Sequence, residues 1–146
     1  MAVVLASCDS DAQSTPLMYA ANAYRTSVSG AQDTIRFGDT IHVGDTVRVP
    51  LFLLGQYNML TSFQLSVEKS AFDYQLYCDS LNATFLAPDS KLQEGYMHFL
   101  ENCFSLSLTL HYVAKQKGDY QFQMTLSSTA SEKYSPNHGV VTQPVR

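Results

Sequence analysis

The chain has 146 residues, a formal charge of −4 and nine basic residues. That length suits one domain with a single core, and the ordinary apolar content excludes a disordered chain. The basic residues are scattered, which excludes nucleic acid as a partner because phosphate binding needs clustered Lys and Arg. No apolar run reaches the roughly 18 residues of a membrane-spanning helix.

Residues 1–7 are apolar and small, and Cys8 follows. Leu5-Ala6-Ser7-Cys8 resembles the lipobox of bacterial lipoproteins, which implies acylation at Cys8 and a membrane contact through that lipid anchor alone. A charged leader and an apolar stretch of about 7–15 residues normally precede such a Cys. Here the leader is missing and the apolar run is a stub, so the sequence either starts inside a longer signal peptide or matches by chance. Asp9 and Asp11 after the Cys resemble the surface-export signal of some Bacteroidota lipoproteins. Residues 1–8 are thus expected to be a signal-peptide remnant, 9–17 a polar tether, and 18–146 the folded domain. The implied location is the cell envelope, as an outer-membrane lipoprotein facing the periplasm or the cell surface.

Residues 17–27 mix helical and strand spacing; an irregular first strand is expected. A phrase then repeats: Asp33-Thr34-Ile35, Asp39-Thr40-Ile41 and Asp45-Thr46-Val47, with Gly38 and Gly44 before the last two. Gly-Asp makes turns, and β-branched residues after it open strands. The same tripeptide resembles the O-glycosylation signal of Bacteroidota exported proteins, which would make Thr34, Thr40, Thr46 and Ser80 acceptors. Asn82-Ala83-Thr84 is an N-glycosylation sequon, relevant only in a eukaryotic host.

From residue 46 onward, apolar and polar residues alternate with a period of two, which predicts half-buried strands. Val47, Val49, Leu51 and Leu53 share one face, and Pro50, lacking an N–H, marks an edge or bulge. Further strands are expected over 60–68, 73–78, 95–101, 103–112, 120–127 and 139–145. In the strongest pair, Phe104, Leu106, Leu108, Leu110 and Tyr112 alternate with polar residues, as do Phe122, Met124 and Leu126 after the turn at 114–119. The long polar stretches 78–94 and 129–138 read as loops. With no convincing helix, the pattern predicts an all-β antiparallel sandwich of about 7–9 strands with Greek-key connections.

Lys117-Gly118-Asp119-Tyr120 before a strand, a loop and a last strand resembles the closing strands of immunoglobulin-like and fibronectin III-like domains. The resemblance implies that Tyr120 is the tyrosine corner. The chain departs from antibody-type domains in having Phe122 where their second Cys lies and in lacking Trp. Residues 43–51 with 62–65 resemble the opening strands of cohesin-like modules. Taken whole, the chain is similar to small uncharacterised immunoglobulin-like lipoproteins of Bacteroidota.

If Cys8 is lipidated, Cys78 and Cys103 remain as a pair. Either they bridge, which a loop of about 25 residues would make worth about 3 kcal/mol, or they are free buried thiols. His42, His98, His111 and His138 sit on separate segments without metal-ligand spacing, and His111 reads as solvated. No cofactor motif or nucleophile motif occurs, and the chain is read as a non-enzyme. Aromatic and hydrogen-bonding residues do meet in two loops: Tyr57 with Asn58, and Tyr134 with Asn137 and His138. That mix suits a protein or glycan ligand. The expected function is a non-catalytic binding or adhesion module. The alternatives are a structural subunit of an envelope complex and a small periplasmic hydrolase.

Overall fold

The computed structural model describes residues 3–4, 15–131 and 133–146. In chain order the elements are β1 (Val3–Val4), β2 (Leu17–Ala20), β3 (Ala23–Thr26), β4 (Gln32–Ile35), β5 (Thr46–Leu54), β6 (Leu60–Ser66) and β7 (Phe72–Tyr77). A one-turn helix α1 (Ser80–Ala83) and a 3-10 turn (Leu92–Glu94) follow. Then come β8 (Tyr96–His98), β9 (Ser105–Ala114), β10 (Gly118–Ser128) and β11 (Asn137–Val145). The fold is all-β. Seven strands, β1 to β5 with β7 and β9, make one sheet, and β11-β10-β6-β8 make the other. Every strand pair is antiparallel.

β5 is the central strand of the larger sheet. Its alternation puts Val47, Val49, Leu51 and Leu53 in the core. One edge pairs with β9 over the whole strand. The other edge pairs with β2 at 51–54 and with β3 at 46–48. The gap between those partners falls at Pro50, which has no N–H to offer a continuous neighbour. Its carbonyl still accepts from the Ala21 N–H at 3.0 Å. The irregular first strand is therefore two short strands, broken where their partner lacks a donor.

The two sheets meet through a cluster of rings. Phe72 of β7 and Tyr112 of β9 come from one sheet, Phe122 of β10 from the other, and Phe37 from the connection after β4. Tyr112 and Phe122 have centroids 4.7 Å apart, Phe72 and Phe122 5.1 Å, and Phe37 and Phe122 5.4 Å. Such tilted and edge-on pairs add about 0.5–1.5 kcal/mol each beyond the area they bury. One hydrogen bond crosses the same layer: the buried Tyr112 hydroxyl donates to Gln143 Oε1 of β11 at 2.7 Å. Gln143 Nε2 in turn donates to the Asp39 carbonyl at 2.7 Å. Burial pushes the Tyr112 phenol well above its ordinary pKa, so the hydroxyl stays a donor.

The repeated Gly-Asp phrase builds two equivalent turns. The Asp39 N–H donates to the Arg36 carbonyl, and the Asp39 carboxylate accepts from the Arg36 N–H at 2.8 Å. Asp45 repeats both bonds with His42, at 3.0 and 2.9 Å. Gly38 and Gly44 take φ of +98° and +92°, which only Gly adopts without strain. These turns carry residues 41–43 along the free edge of β11. There Ile41 N–H donates to the Pro144 carbonyl and Arg146 N–H to the Ile41 carbonyl, which closes part of an exposed strand edge.

Three details depart from the alternation pattern. α1 forms because Asp79 caps it, accepting from Asn82 N–H at 2.8 Å. β11 starts at Asn137, so Asn137 and His138 belong to a strand and not to the preceding loop. Phe104 is 51% exposed; its carbonyl accepts from Gly55 N–H at 2.8 Å, which holds it before β9 begins.

Replacing Tyr112 by Phe keeps the rings but strands the Gln143 oxygen in the core. The variant should lose about 1–3 kcal/mol with an unchanged denaturant slope in urea unfolding. A loss below about 0.5 kcal/mol would show that the inter-sheet bond contributes little.

Candidate functional site

A concavity lies where the two sheets part, between β7 on one side and β6 and β8 on the other. It is built by the segment after α1. Lys91 and Tyr96 exchange two backbone bonds, at 2.9 and 3.0 Å, which close the 3-10 turn into a tight loop. Gly95 at φ +77° lets that loop lie against the sheet: an added Cβ would stand 2.9 Å from Leu65 and 3.4 Å from the Tyr74 ring. Leu65 N–H donates to the Gly95 carbonyl at 2.8 Å, and Gln64 Nε2 donates to the Leu65 carbonyl at 2.7 Å.

The result is a groove of about 610 Å³, lined by Tyr74 and Tyr96, by Lys69 and Lys91, by Asp89 and Glu94, and by residues 64–67 of and after β6. Its volume is in the range of small-ligand sites. The Asp89 carboxylate is held 2.9 Å from His98 Nδ1, and Lys91 Nζ stands 3.9 Å from Glu94 Oε2. Both carboxylates are more than half exposed. The groove therefore combines two phenol rings with hydrogen-bonding groups of both signs, most of them already in contact with water.

Sequence reasoning did not single out these residues. The only signal was the irregular polar run over 78–94, since Tyr74 and Tyr96 carry the same alternation as ordinary strand residues. The loops it did favour meet at one end of the domain. Thr129 N–H donates to the Met59 carbonyl at 2.9 Å, which joins the turn holding Tyr57 to the loop holding Tyr134. Tyr57 is 87% exposed at φ +72°, a conformation a bulky residue rarely adopts. Asn58 Nδ2 donates to the Gln56 carbonyl at 3.1 Å. Tyr134 is half-buried, and Lys133 Nζ lies 5.5 Å from its ring centroid. Asn137, by contrast, is fully buried, and its Nδ2 donates to the Pro16 carbonyl at 2.8 Å. It ties the start of the fold to β11 and cannot face a ligand. His138 is exposed on β11, with Nδ1 3.0 Å from Thr125 Oγ1.

Thr15 and Asn137 are buried and Leu17 opens β2, so the folded unit takes in residues 15–17, ahead of the expected boundary at residue 18. Cys8 lies outside the described residues. Among the proposed acceptors, Thr34, Thr40 and Ser80 are exposed, whereas Thr46 is half-buried between β3 and β9. Tyr120 Oη donates to the Lys117 carbonyl at 2.8 Å, and its ring fills the space that Gly118, at φ +143°, leaves open.

Cys78 and Cys103 are free thiols, not a bridge. Each is turned to a different carbonyl of β9: Cys78 Sγ to Ser107 at 3.9 Å, Cys103 Sγ to Ser105 at 3.7 Å. Burial raises both thiols to about 11, with the Asp79 charge adding to the effect at Cys78. Among the described residues, no three His, Cys, Asp or Glu side chains are grouped to hold a metal, and no helix is long and apolar enough to cross a membrane.

No protein-family model matches the chain, and no curated protein matches it. Among solved structures it is similar to a DUF4466 family protein from Parabacteroides merdae, with 12% identity, a TM-score of 0.48, and 88% of this chain aligned to 43% of that one. It is also similar to a family 123 glycoside hydrolase from Clostridium perfringens, with 12% identity, a TM-score of 0.42, and 73% of this chain aligned to 22% of that one. The chain thus spans less than half the length of either. Likeness at this level carries nothing about family or activity.

The raised thiols give a direct test. At pH 8, peptide mapping after iodoacetamide treatment should find Cys78 and Cys103 alkylated at least about tenfold more slowly than a free thiol, with rates rising steeply toward pH 10. Rapid labelling of both at pH 8 would contradict the burial that the structure gives them.

Proposed function

We propose that this chain is a non-catalytic binding module of the cell envelope, an immunoglobulin-like sandwich with Greek-key connections, held to the membrane by a lipid on Cys8, whose edge groove takes a glycan. The groove carries this reading: two tyrosines lie beside Lys, Gln, Ser and carboxylate groups in one solvent-open channel. Sugar rings offer apolar faces for aromatic side chains and hydroxyls for exactly such mixed donors and acceptors. The immunoglobulin-like assignment draws support from the passage of the chain between sheets from β9 to β10 and from the Tyr120–Lys117 bond at that corner.

The non-catalytic reading rests on the carboxylates. A glycosidase needs one desolvated carboxyl as acid and a second across the scissile bond. Asp89 and Glu94 are open to water, Asp89 against the His98 ring and Glu94 near the Lys91 ammonium. A structural role in a larger envelope assembly is favoured by one observation. Tyr57 and Phe104 are exposed at the end of the domain where Gly55 N–H meets the Phe104 carbonyl, an apolar tip suited to a protein contact.

A glycan array followed by calorimetry tests the main reading. Tyr96→Ala should weaken the best glycan at least about tenfold, equivalent to roughly 1.4 kcal/mol, while leaving the circular dichroism spectrum unchanged. If no glycan binds, or if Tyr96→Ala binds as the parent does, the groove is not the site.

A further inference from the structure

A second surface lies on the outer face of the larger sheet, away from the groove. The strand registers align one row of residues across five strands: Thr34 on β4 faces Tyr24 on β3, Tyr24 faces Arg48 on β5, Arg48 faces His111 on β9, and His111 faces Gln75 on β7. None of the five is buried, and all have the parity that points away from the core. From Tyr24 to Gln75 the row covers three strand spacings, about 14 Å. Tyr77 stands beside it, with its ring centroid 4.3 Å from that of His111. Tyr24 and Tyr77 are 58% and 45% exposed.

The charge arrangement is unusual for a sheet face. Arg48 and His111 are directly opposite each other, a placement that repels when both are charged. Among the described residues no carboxylate forms an ion pair with Arg48. The groups around His111 are Arg48 from β5, Tyr77 and Asp73 from β7, and Tyr24 one strand further on β3. Asp73 is engaged by Lys115 at 3.5 Å. Partial burial, and then the Arg48 charge, lower the His111 pKa. The row thus holds one cation without an ion-pair partner among the described residues and a second that appears on acidification, between two phenol rings, with Thr34 and Gln75 at its ends and the Asp73–Lys115 pair to one side.

We propose that this row binds an acidic oligosaccharide, with Arg48 and protonated His111 receiving its anionic group and Tyr24 and Tyr77 supporting sugar rings on either side. A guanidinium matches a carboxylate or sulfate with paired, charge-assisted hydrogen bonds. A nucleic acid or a polyacidic peptide would need several clustered cations, whereas here there are two, beside neutral hydrogen-bonding groups and the already paired Asp73. Ligand charge relieves the Arg48–His111 repulsion, so binding strengthens as pH falls and His111 takes up its proton.

Calorimetry on the full chain tests this, with a galacturonate hexamer and a sulfated hexasaccharide as the two acidic probes, and maltohexaose and hexaglutamate as comparators. At least one acidic sugar should bind more tightly at pH 5.5 than at pH 7.5. Arg48→Gln should weaken it at least about tenfold, and His111→Gln should remove the pH dependence. Both positions are at the surface, and near-UV circular dichroism checks that the variants are folded. The proposal is overturned if neither acidic sugar binds, if maltohexaose or hexaglutamate binds as tightly, or if Arg48→Gln has no effect. Loss of acidic-sugar binding in Tyr96→Ala, but not in Arg48→Gln, would move that ligand to the groove and overturn it equally.

Discussion

The fold depends on the contact between Tyr112 and the opposing sheet. Its ring meets Phe122 of that sheet at 4.7 Å and its hydroxyl reaches Gln143, while Phe72 of its own sheet backs the ring at 5.6 Å. Two sheets that touch only through aliphatic side chains can slide, because dispersion has little direction. A buried hydroxyl that must find one acceptor fixes their relative position, since leaving it unpaired costs its full desolvation. Gln143 passes that constraint on to the Asp39 carbonyl. The turns built by the repeated Gly-Asp phrase are therefore tied to the centre of the core as well as to the edge of β11.

That rigid centre leaves the sheets to part at one side, where β7 and β8 are the outer strands. The segment after α1 fills the gap incompletely, and the groove is what remains. Both of its tyrosines are strand-borne: Tyr74 sits on β7 and Tyr96 on β8. A binding surface on strands is held more precisely than one on loops. The row through Arg48 and His111 has the same property, because antiparallel pairing alone sets the spacing of its members. The exposed loop tip with Tyr57 is different: backbone bonds from Gly55 and Asn58 and the Asn58 side-chain amide hold the turn, while the Tyr57 side chain itself is exposed, so it is suited to adaptable contact.

Much of the scaffold was legible from residue order. Alternation in 46–53, 103–112 and 120–127 announced half-buried antiparallel strands, and Gly38-Asp39 and Gly44-Asp45 announced turns. Pro50 announced a break in pairing, though not that the break would fall in the neighbouring strand. Other features were hidden. Phe104 continues the apolar alternation yet is exposed, because a backbone bond to Gly55 takes it out of β9. Asn137 looked like a loop residue with ligand chemistry, but Pro16, distant in sequence, uses its amide. His111 looked solvated, but Tyr77 from another strand packs against it.

By itself, then, the sequence determined the class of fold, because side-chain alternation is a local property that each strand displays independently. It also determined the turn chemistry, since a Gly at positive φ and an Asp carboxylate act on neighbours within three residues. Only the tertiary structure decided which residues face one another across strands and sheets. Tyr74 and Tyr96 share a groove, and Arg48 and His111 share a row, because of pairings between segments tens of residues apart. Neither sheet register nor the place where two sheets separate is written in any single segment; both follow from how all the strands satisfy their hydrogen bonds and bury one common core.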